Sequence, residues 1–230
     1  MPDTRDRILD AAAHVMRTRG FARTTTKEIA RAAGYSEATL YKHFQDKTDL
    51  FLAVPKERLP SLGSTLSALS ADADTDPHAG ANSADADTAT HAGADTRGPA
   101  DANSAASEGL TTRLTATARG AIAFYEASFP ISASVFSEPE LLAAHHAAVT
   151  GRGGGPQYPV EALARYLRLE QGRGRIRPGA DCDAAASLLL GSCFQYAFLR
   201  CFAQLPPDPA AAEAHATAIV TTLQAGLQPA

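Results

Sequence analysis

The sequence of 230 residues predicts an all-α protein, and three observations carry that prediction. Apolar residues recur every three or four positions through most of the chain, which is the spacing of one helix face. No stretch alternates apolar and polar residues as a half-buried strand does. The segment 71–108 separates a short N-terminal helical unit from a longer C-terminal one, because it contains no Val, Ile, Leu, Met, Phe, Tyr or Trp.

The first two helices have clear start and stop signals. The apolar stripe of residues 4–19 is followed by Gly20, and glycine commonly terminates helices. Thr25 and Glu28 have the spacing of a capping box, in which each side chain satisfies a free backbone amide of the helix that begins there. That second helix is expected to stop at Gly34.

Two further helices follow within the N-terminal unit. Ser36 is expected to cap a short helix that runs to about Phe44, and Asp46 to cap a longer one. The longer helix contains Pro55 and meets Pro60, and a proline inside a helix removes a donor and clashes with the preceding turn. The sequence therefore predicts a kink or break near Pro55.

The segment 71–108 holds eight acidic residues and one arginine among small residues. It cannot bury enough apolar surface to offset the entropy of ordering, so we expect a disordered acidic insertion. The predicted domains are then 1–50 for the N-terminal unit, 51–70 for a connecting helix with a proline kink, 71–108 for the insertion and 109–230 for a second helical domain.

The second domain is expected to consist of five helices. They are predicted at 110–129, ended by Pro130; at 131–149, broken at Pro139; at 160–171; from Asp181 or Asp183 to the PPDP segment at 206–209; and at 210–227.

Charge is distributed unevenly along a chain whose formal net charge is −4. Residues 1–58 hold 11 Lys+Arg against 8 Asp+Glu, whereas residues 59–230 hold 10 against 17. A modestly basic N-terminal unit on an acidic remainder is consistent with local contact to a polyanion.

Neither a membrane span nor a signal peptide is predicted. The longest apolar stretch, 187–202, is interrupted by Gln195 and Arg200 and falls short of the roughly 20 residues that a span needs. The N-terminus carries acids and no apolar core of a signal peptide. We therefore expect a cytoplasmic location.

The cysteines and histidines predict no disulfide framework and no metal site. Cys182, Cys193 and Cys201 lie in one predicted helix, too far apart for a disulfide, and are expected to be buried, reduced thiols; a redox sensor or an intersubunit bridge is the alternative. His145 and His146 point about 100° apart on a helix and cannot easily share one ion.

Since G-x-S-x-G, H-E-x-x-H, phosphate-loop and C-x-x-C motifs are missing from the sequence, we expect neither an enzyme nor a bound cofactor.

A helix, a glycine turn and a second short helix make a helix-turn-helix candidate. Its inner face is expected to contain Ile29, Ala30, Ala33, Leu40 and Phe44. The small and polar residues that remain outside on the second helix suit a recognition helix that enters the major groove of DNA. The alternative is a helical subdomain whose polar face is simply solvated.

The stretch TTTKEIARAAGYSEATLYKHFQDKTDLFLAV closely resembles the DNA-binding signature of the TetR family of transcriptional repressors, over about residues 5–54. The resemblance implies an N-terminal three-helix helix-turn-helix DNA-binding domain joined to a C-terminal helical ligand-binding and dimerisation domain. It implies a repressor that binds a palindromic operator as a homodimer and is released by a small-molecule effector. A helical protein-interaction or sensor protein without specific DNA binding is the alternative.

The resemblance also assigns DNA contacts by position. Tyr41 and His43 would contact backbone phosphates, and the variable Glu37, Ala38 and Lys42 would read bases. The full set of expected DNA-binding residues is Thr25, Thr26, Lys27, Ser36, Glu37, Ala38, Thr39, Tyr41, Lys42, His43 and Lys47.

The second domain is expected to bind the effector and the partner subunit. For any single aromatic residue of this domain a place in the core is the favoured interpretation, but the resemblance implies a ligand site at Phe124, Phe136, Phe194 and Phe198. The last two helices are expected to pair with their copies as a four-helix interface. The candidates there, for which burial in the monomer competes, are Ala184, Leu188, Gly191, Gln195, Ile219, Leu223 and Leu227. Pro55, unusual for the family, is hypothesised to localise a hinge.

Overall fold

The computed structural model describes residues 3–19, 23–59, 62, 63, 65–67, 69, 99–151 and 155–228. Within these ranges the regular secondary structure is helical, as the sequence predicts. The helices are α1 Thr4–Arg19, α2 Thr26–Ala33, α3 Glu37–Leu40, α4 Lys47–Arg58, α5 Pro99–Ser137, α6 Pro139–Thr150, α7 Tyr158–Gly172, α8 Cys182–Phe202 and α9 Pro209–Leu227. The described residues between 62 and 69 are also helical.

The chain divides into two compact units that are not consecutive segments. Unit 1 consists of Met1–Ser61, Ile122–Tyr158 and Tyr196–Pro207, and unit 2 of Leu62–Ala121, Pro159–Gln195 and Asp208–Ala230. Helices α5 and α8 are long enough to contribute residues to both units. The linear boundaries after residues 50, 70 and 108 therefore stay predictions about the sequence.

The core of unit 1 forms around the stripe predicted for the first helix. Ile8, Leu9 and Met16 of α1 are buried, and they belong to one apolar cluster with residues of α2, α3 and α4. Ile131 and Val135 from the end of α5 belong to the same cluster. The four N-terminal helices are thus fixed by packing in addition to their local caps.

Helix α5 departs from the prediction at both ends. It begins at Pro99, so residues 99–108 are helical where disorder was expected, while residues 71–98 lie outside the described part. It also continues through Pro130 to Ser137. An interior proline costs about 3 kcal/mol. Burial of Ile131 and Val135, 2% and 5% exposed, contributes about 1.5–3 kcal/mol each and offsets that cost.

Of the kink or break predicted near Pro55, the break is wrong, because α4 continues through this residue to Arg58, and the kink stays a prediction. Arg58 donates hydrogen bonds to Asp6 and Asp10 of α1, which holds the turn after the proline in place. The helix ends at Leu59, whose backbone is extended at φ −93° and ψ 149°. This is the conformation that a following proline, here Pro60, imposes on its neighbour.

The turn between α7 and α8 in unit 2 is held by local hydrogen bonds and by a buried side chain. Gly174 has φ +76°, a left-handed conformation that favours glycine, and Ile176 beyond it is fully buried. Buried Glu170 accepts hydrogen bonds from Arg173, at 3.3 Å, and from Arg175. Asp181 caps α8 by accepting from two backbone amides at 3.0 Å, which identifies it as the helix opener in place of Asp183.

Helix α8 carries all three cysteines, as predicted, but not all are buried. Cys182 and Cys193 are buried and Cys201 is exposed, which corrects the expectation for Cys201. Burial raises the pKa of the Cys193 thiol to about 12.

Helix α8 also tests the membrane prediction. With 21 residues it is long and apolar enough to cross a bilayer by length and composition alone, contrary to the sequence-based expectation. Part of it packs inside the protein, however, and its Arg200 forms an ion pair with Glu126 at 3.0 Å. Such features are ordinary for a core helix of a globular protein.

Candidate nucleic-acid interface

Helix α2 begins and ends as the sequence predicts. The Thr25 hydroxyl accepts from the Glu28 amide at 3.2 Å, and the Glu28 carboxylate accepts from the Thr25 amide at 3.1 Å. The hydrogen bond from the Thr25 backbone is the largest cause that lowers the pKa of Glu28. Gly34 ends the helix at φ +81°, and the amides of Gly34 and Tyr35 donate back to the last turn. The turn between α2 and α3 is therefore closed by local hydrogen bonds.

Helix α3 is shorter than predicted. The Ser36 hydroxyl caps it by accepting from the Thr39 amide at 3.2 Å, but the α-helical stretch ends at Leu40. The chain continues to Phe44 as a hydrogen-bonded turn, in which the His43 and Phe44 amides both donate to the Leu40 carbonyl. Two donors on one carbonyl tighten the turn, so α3 presents a single turn of helix.

The inner face of the helix-turn-helix is confirmed. Leu40 is fully buried and Phe44 is 2% exposed, and both join the apolar cluster that also contains Ile29, Ala30 and Ala33. A short helix of this kind has little stability of its own. Its orientation is therefore set by these buried side chains.

We define the recognition face as those exposed residues within α2, α3 and the following turn that were predicted to contact DNA. It consists of Lys27, Ala38, Tyr41, Lys42 and His43. Tyr41 is 47% exposed although it is large and aromatic. The face carries two lysines, a histidine and a phenol hydroxyl beside a small residue, which suits close approach of a phosphate backbone.

A hydrogen-bonded trio that the sequence did not reveal joins Tyr41 of this face to Thr26 and Glu37. Thr26, the first residue of α2, is 8% exposed. Its hydroxyl donates to a carboxylate oxygen of Glu37 at 2.5 Å and lies 3.2 Å from the Tyr41 hydroxyl. Thr26 was expected to contact DNA; its side chain is buried and its hydroxyl is bonded within the chain, and the DNA contact stays a prediction.

Two arginines of α1 contact the aromatic residues that precede and follow α3 in the sequence. The Arg5 guanidinium lies 5.2 Å from the centre of the Phe44 ring and donates to Glu57 of α4 at 2.5 and 2.7 Å. The Arg7 guanidinium lies 5.3 Å from the centre of the Tyr35 ring. Sequence patterns within single helices could not find these contacts, because the partners are far apart in the chain.

Helix α4 begins at Lys47 with Asp46 as its cap, as predicted. The Asp46 carboxylate accepts from the Asp49 amide at 2.7 Å. Lys47 is half-buried, and this burial lowers the pKa of its ammonium group, an effect that the nearby Glu138 carboxylate opposes. A phosphate at this helix N-terminus would meet both a lysine and a positive dipole end.

The residues predicted to hold a ligand are not all enclosed. Phe136 is 72% exposed and Phe194 is 48% exposed, more than the walls of a ligand-enclosing pocket usually are. In unit 1, the Phe198 ring packs against the Phe129 ring at 5.8 Å between centroids and is 46% exposed. Phe124 is half-buried. The ligand site therefore stays a prediction.

The predicted interface residues divide by exposure. Leu188 of α8 is 64% exposed, and Ala184, Gly191 and Gln195 on the same helix are also exposed. Ile219 and Leu223 of α9 are half-buried. Leu227 is only 5% exposed, because it packs within its own chain, so it is an unsuitable contact for a partner subunit.

Comparison with known proteins places both ends of the chain in one group. Residues 8–54 match the family described as bacterial regulatory proteins, tetR family, and residues 133–226 match the AefR-like transcriptional repressor, C-terminal domain. The HTH-type transcriptional regulator YvkB of Bacillus subtilis (strain 168) is 40% identical over 72 residues, covering 31% of this chain and 38% of that protein. The chain thus spans well under two thirds of this curated relative.

Solved structures share the fold over nearly the whole chain. The ketosteroid transcriptional regulator KstR2 of Mycobacterium tuberculosis has a TM-score of 0.61 at 16% identity, with 100% of this chain and 97% of that chain covered. The transcriptional regulator FadR from Bacillus subtilis, in complex with stearoyl-CoA, has a TM-score of 0.57 at 18% identity, with 96% and 97% covered. At these identities the likeness shows the fold alone.

Proposed function

Because this chain belongs to the TetR family of transcriptional regulators, we propose that it is a repressor that binds a palindromic operator as a homodimer and is released by a small-molecule effector. It acts in the cytoplasm, on double-stranded DNA. The family consists of regulators, and a helical interaction protein without DNA binding is not favoured by the matches at residues 8–54.

The observation that carries the proposal is the recognition face. Its basic and hydroxyl side chains lie on α2 and in the turn that follows α3, and the apolar residues Leu40 and Phe44 beside them are buried. Lys42 is the side chain best suited to a base, since lysine can donate to guanine O6 and N7. Lys27 and His43 flank it and would fix the register on phosphates.

The homodimer rests on the exposed apolar residues of α8. Leu188 and Phe194 are 64% and 48% exposed on the part of α8 that belongs to unit 2. Leu188 shares one face of α8 with the exposed residues Ala184, Gly191 and Gln195, so an exposed apolar side chain lies at the centre of an exposed face. Closed two-fold pairing is the commonest way to cover such a face. Two copies would then present two recognition helices to a palindrome.

The effector is proposed to be a small apolar molecule. The aromatic residues of the second domain, including Phe124 and Phe198, supply the apolar surface that such ligands need. The complex of the FadR structure with stearoyl-CoA supports an effector with a long apolar chain. Binding would favour an arrangement of the dimer that does not fit the operator.

Selection of duplexes from a random pool with the purified full chain tests the proposal. We expect enrichment of a palindromic sequence, and binding of that sequence that weakens steeply with salt. A subsequent screen of ligands that carry a long apolar chain, including acyl-CoA thioesters, should find one that releases the selected duplex. Failure to enrich any sequence would contradict the DNA-binding function.

A further inference from the structure

We propose that Glu37 is a positioning residue that, through Thr26, holds the Tyr41 hydroxyl proton away from DNA, and that Glu37 does not read a base. The proposal deepens the DNA-binding function proposed above and rests on it. It assigns Glu37 a different role from the base contact that the family resemblance suggested.

The direction of each hydrogen bond in the trio follows from its chemistry. The Thr26 hydroxyl has one proton, and an ionised carboxylate can only accept. The 2.5 Å contact between Thr26 Oγ1 and Glu37 Oε1 therefore uses the threonine proton. In the 3.2 Å contact between Thr26 Oγ1 and the Tyr41 hydroxyl, tyrosine must then be the donor. The chain of donors runs from Tyr41 to Thr26 to Glu37.

The local structure leaves Glu37 free for this task. Glu37 lies in the first turn of α3, but Ser36 already caps that helix. Glu37 is half-buried, and its bonded partner Thr26 is 8% exposed on the neighbouring helix. The Glu37 carboxylate therefore links α3 to α2 through a hydrogen bond, and one of its oxygens already has a partner in the absence of DNA.

The consequence concerns how Tyr41 meets a phosphate. Phosphate oxygens only accept, so Tyr41 can bind one only by turning its proton outward and giving up its bond to Thr26. If the Glu37 carboxylate is removed, Thr26 can donate to Tyr41 instead, and the tyrosine proton becomes free for phosphate. Glu37 thus restrains phosphate binding on every sequence equally.

Comparison of E37A with E37Q isolates the effect, because both variants lack the negative charge and only glutamine keeps an acceptor for Thr26. We expect E37A to bind about fivefold more tightly than E37Q, which corresponds to one hydrogen bond that need not be broken. The affinities are measured by fluorescence anisotropy on the duplex that the wild-type protein selects and on its single-base-pair variants. The fivefold ratio should be the same on all of them.

Three backgrounds make the test specific. The ratio of the E37A affinity to the E37Q affinity should fall to about one when both variants also carry Y41F or T26V, because each of these substitutions removes a hydroxyl of the trio. The ratio should persist when both variants carry T26S, which keeps a hydroxyl. Thermal unfolding checks that each variant is folded; if T26V unfolds, Y41F carries the same comparison.

Several results would overturn the proposal. If E37A still binds more tightly than E37Q in the Y41F background, or if E37A binds more weakly than E37Q, the Tyr41 hydroxyl does not mediate the effect of Glu37. Loss of preference at one base pair in E37A, by the roughly tenfold or more of a lost base contact, would make Glu37 a base reader. Failure of the wild-type protein to select any duplex is a separate result that would contradict the proposed function itself.

Discussion

Helices α3 and α8 expose side chains of opposite chemistry. In α3 and the turn that follows it the apolar residue Leu40 is fully buried, and the exposed residues Ala38, Tyr41, Lys42 and His43 are small or carry a polar group. In α8 the large apolar side chains of Leu188 and Phe194 are 64% and 48% exposed. The difference indicates that the apolar side of α3 is already buried within one chain and that its exposed side suits a polar partner. The exposed side of α8 suits an apolar partner.

The largest expected effect tests whether α3 is complete within one chain. Leu40→Ala removes a fully buried side chain and should lower the free energy of unfolding by about 3 kcal/mol. Leu169→Ala is the matched control, since Leu169 is 47% exposed and its loss should cost less than about 0.5 kcal/mol. Urea denaturation followed by circular dichroism measures both. Equal losses would show that the packing of α3 is not what stabilises it.

The next effect tests whether α8 awaits a second copy. Leu188→Glu places a charge on the proposed interface and should weaken dimerisation by about 100-fold, as expected for a central interface residue. Sedimentation velocity over a concentration series gives the dissociation constant. Leu169→Glu makes the same change on an exposed leucine of α7 and should leave the dimer intact. If the two variants behave alike, α8 is not the interface.

A smaller effect tests the recognition face. Lys42→Ala should weaken operator binding by about 1.5 kcal/mol and relax the preference at one base pair. Lys56→Ala removes the same charge from an exposed position late in α4 and should change affinity little. Anisotropy titrations on the operator and its single-base-pair variants distinguish them. If both variants lose a similar amount of operator affinity, Lys42 contributes only its positive charge and does not read a base.

The smallest effect concerns the cap of α2. The pKa of Glu28 is lowered in the folded protein, so the stabilisation by its charge is present above the ordinary glutamate value of 4.5 and is lost as pH falls through the lower folded value. The stability advantage of the wild-type protein over Glu28→Gln should therefore shrink on acidification. Thermal unfolding of both proteins between about pH 3 and pH 7 checks this. If the difference in stability between the two proteins does not change with pH, the charge of Glu28 in the cap is not the source of the wild-type advantage.

Features specified by residues three or four apart were predictable. The caps at Thr25, Ser36 and Asp46 and the glycine stop at Gly34 all depend on neighbouring residues, and the structure has them where the sequence predicts. The buried pair Leu40 and Phe44 followed from helical spacing alone.

Features that depend on distant partners were not predictable. Pro130 was expected to end a helix, but burial of the residues after it in unit 1 outweighs the lost donor. The role of Glu37 depends on Thr26, eleven positions away on another helix. The exposure of Phe136 likewise depends on what packs around it, which spacing cannot show.

A dimer formed through α8 is proposed to present two α3 helices to successive major-groove turns. Hydroxyl-radical and methylation footprinting of the selected operator tests it most directly. We expect two symmetric protected patches about 34 Å apart, one helical turn of DNA, for the wild-type protein, and weak or single-site protection for Leu188→Glu. A single patch with the wild-type protein, or two unchanged patches with Leu188→Glu, would contradict it.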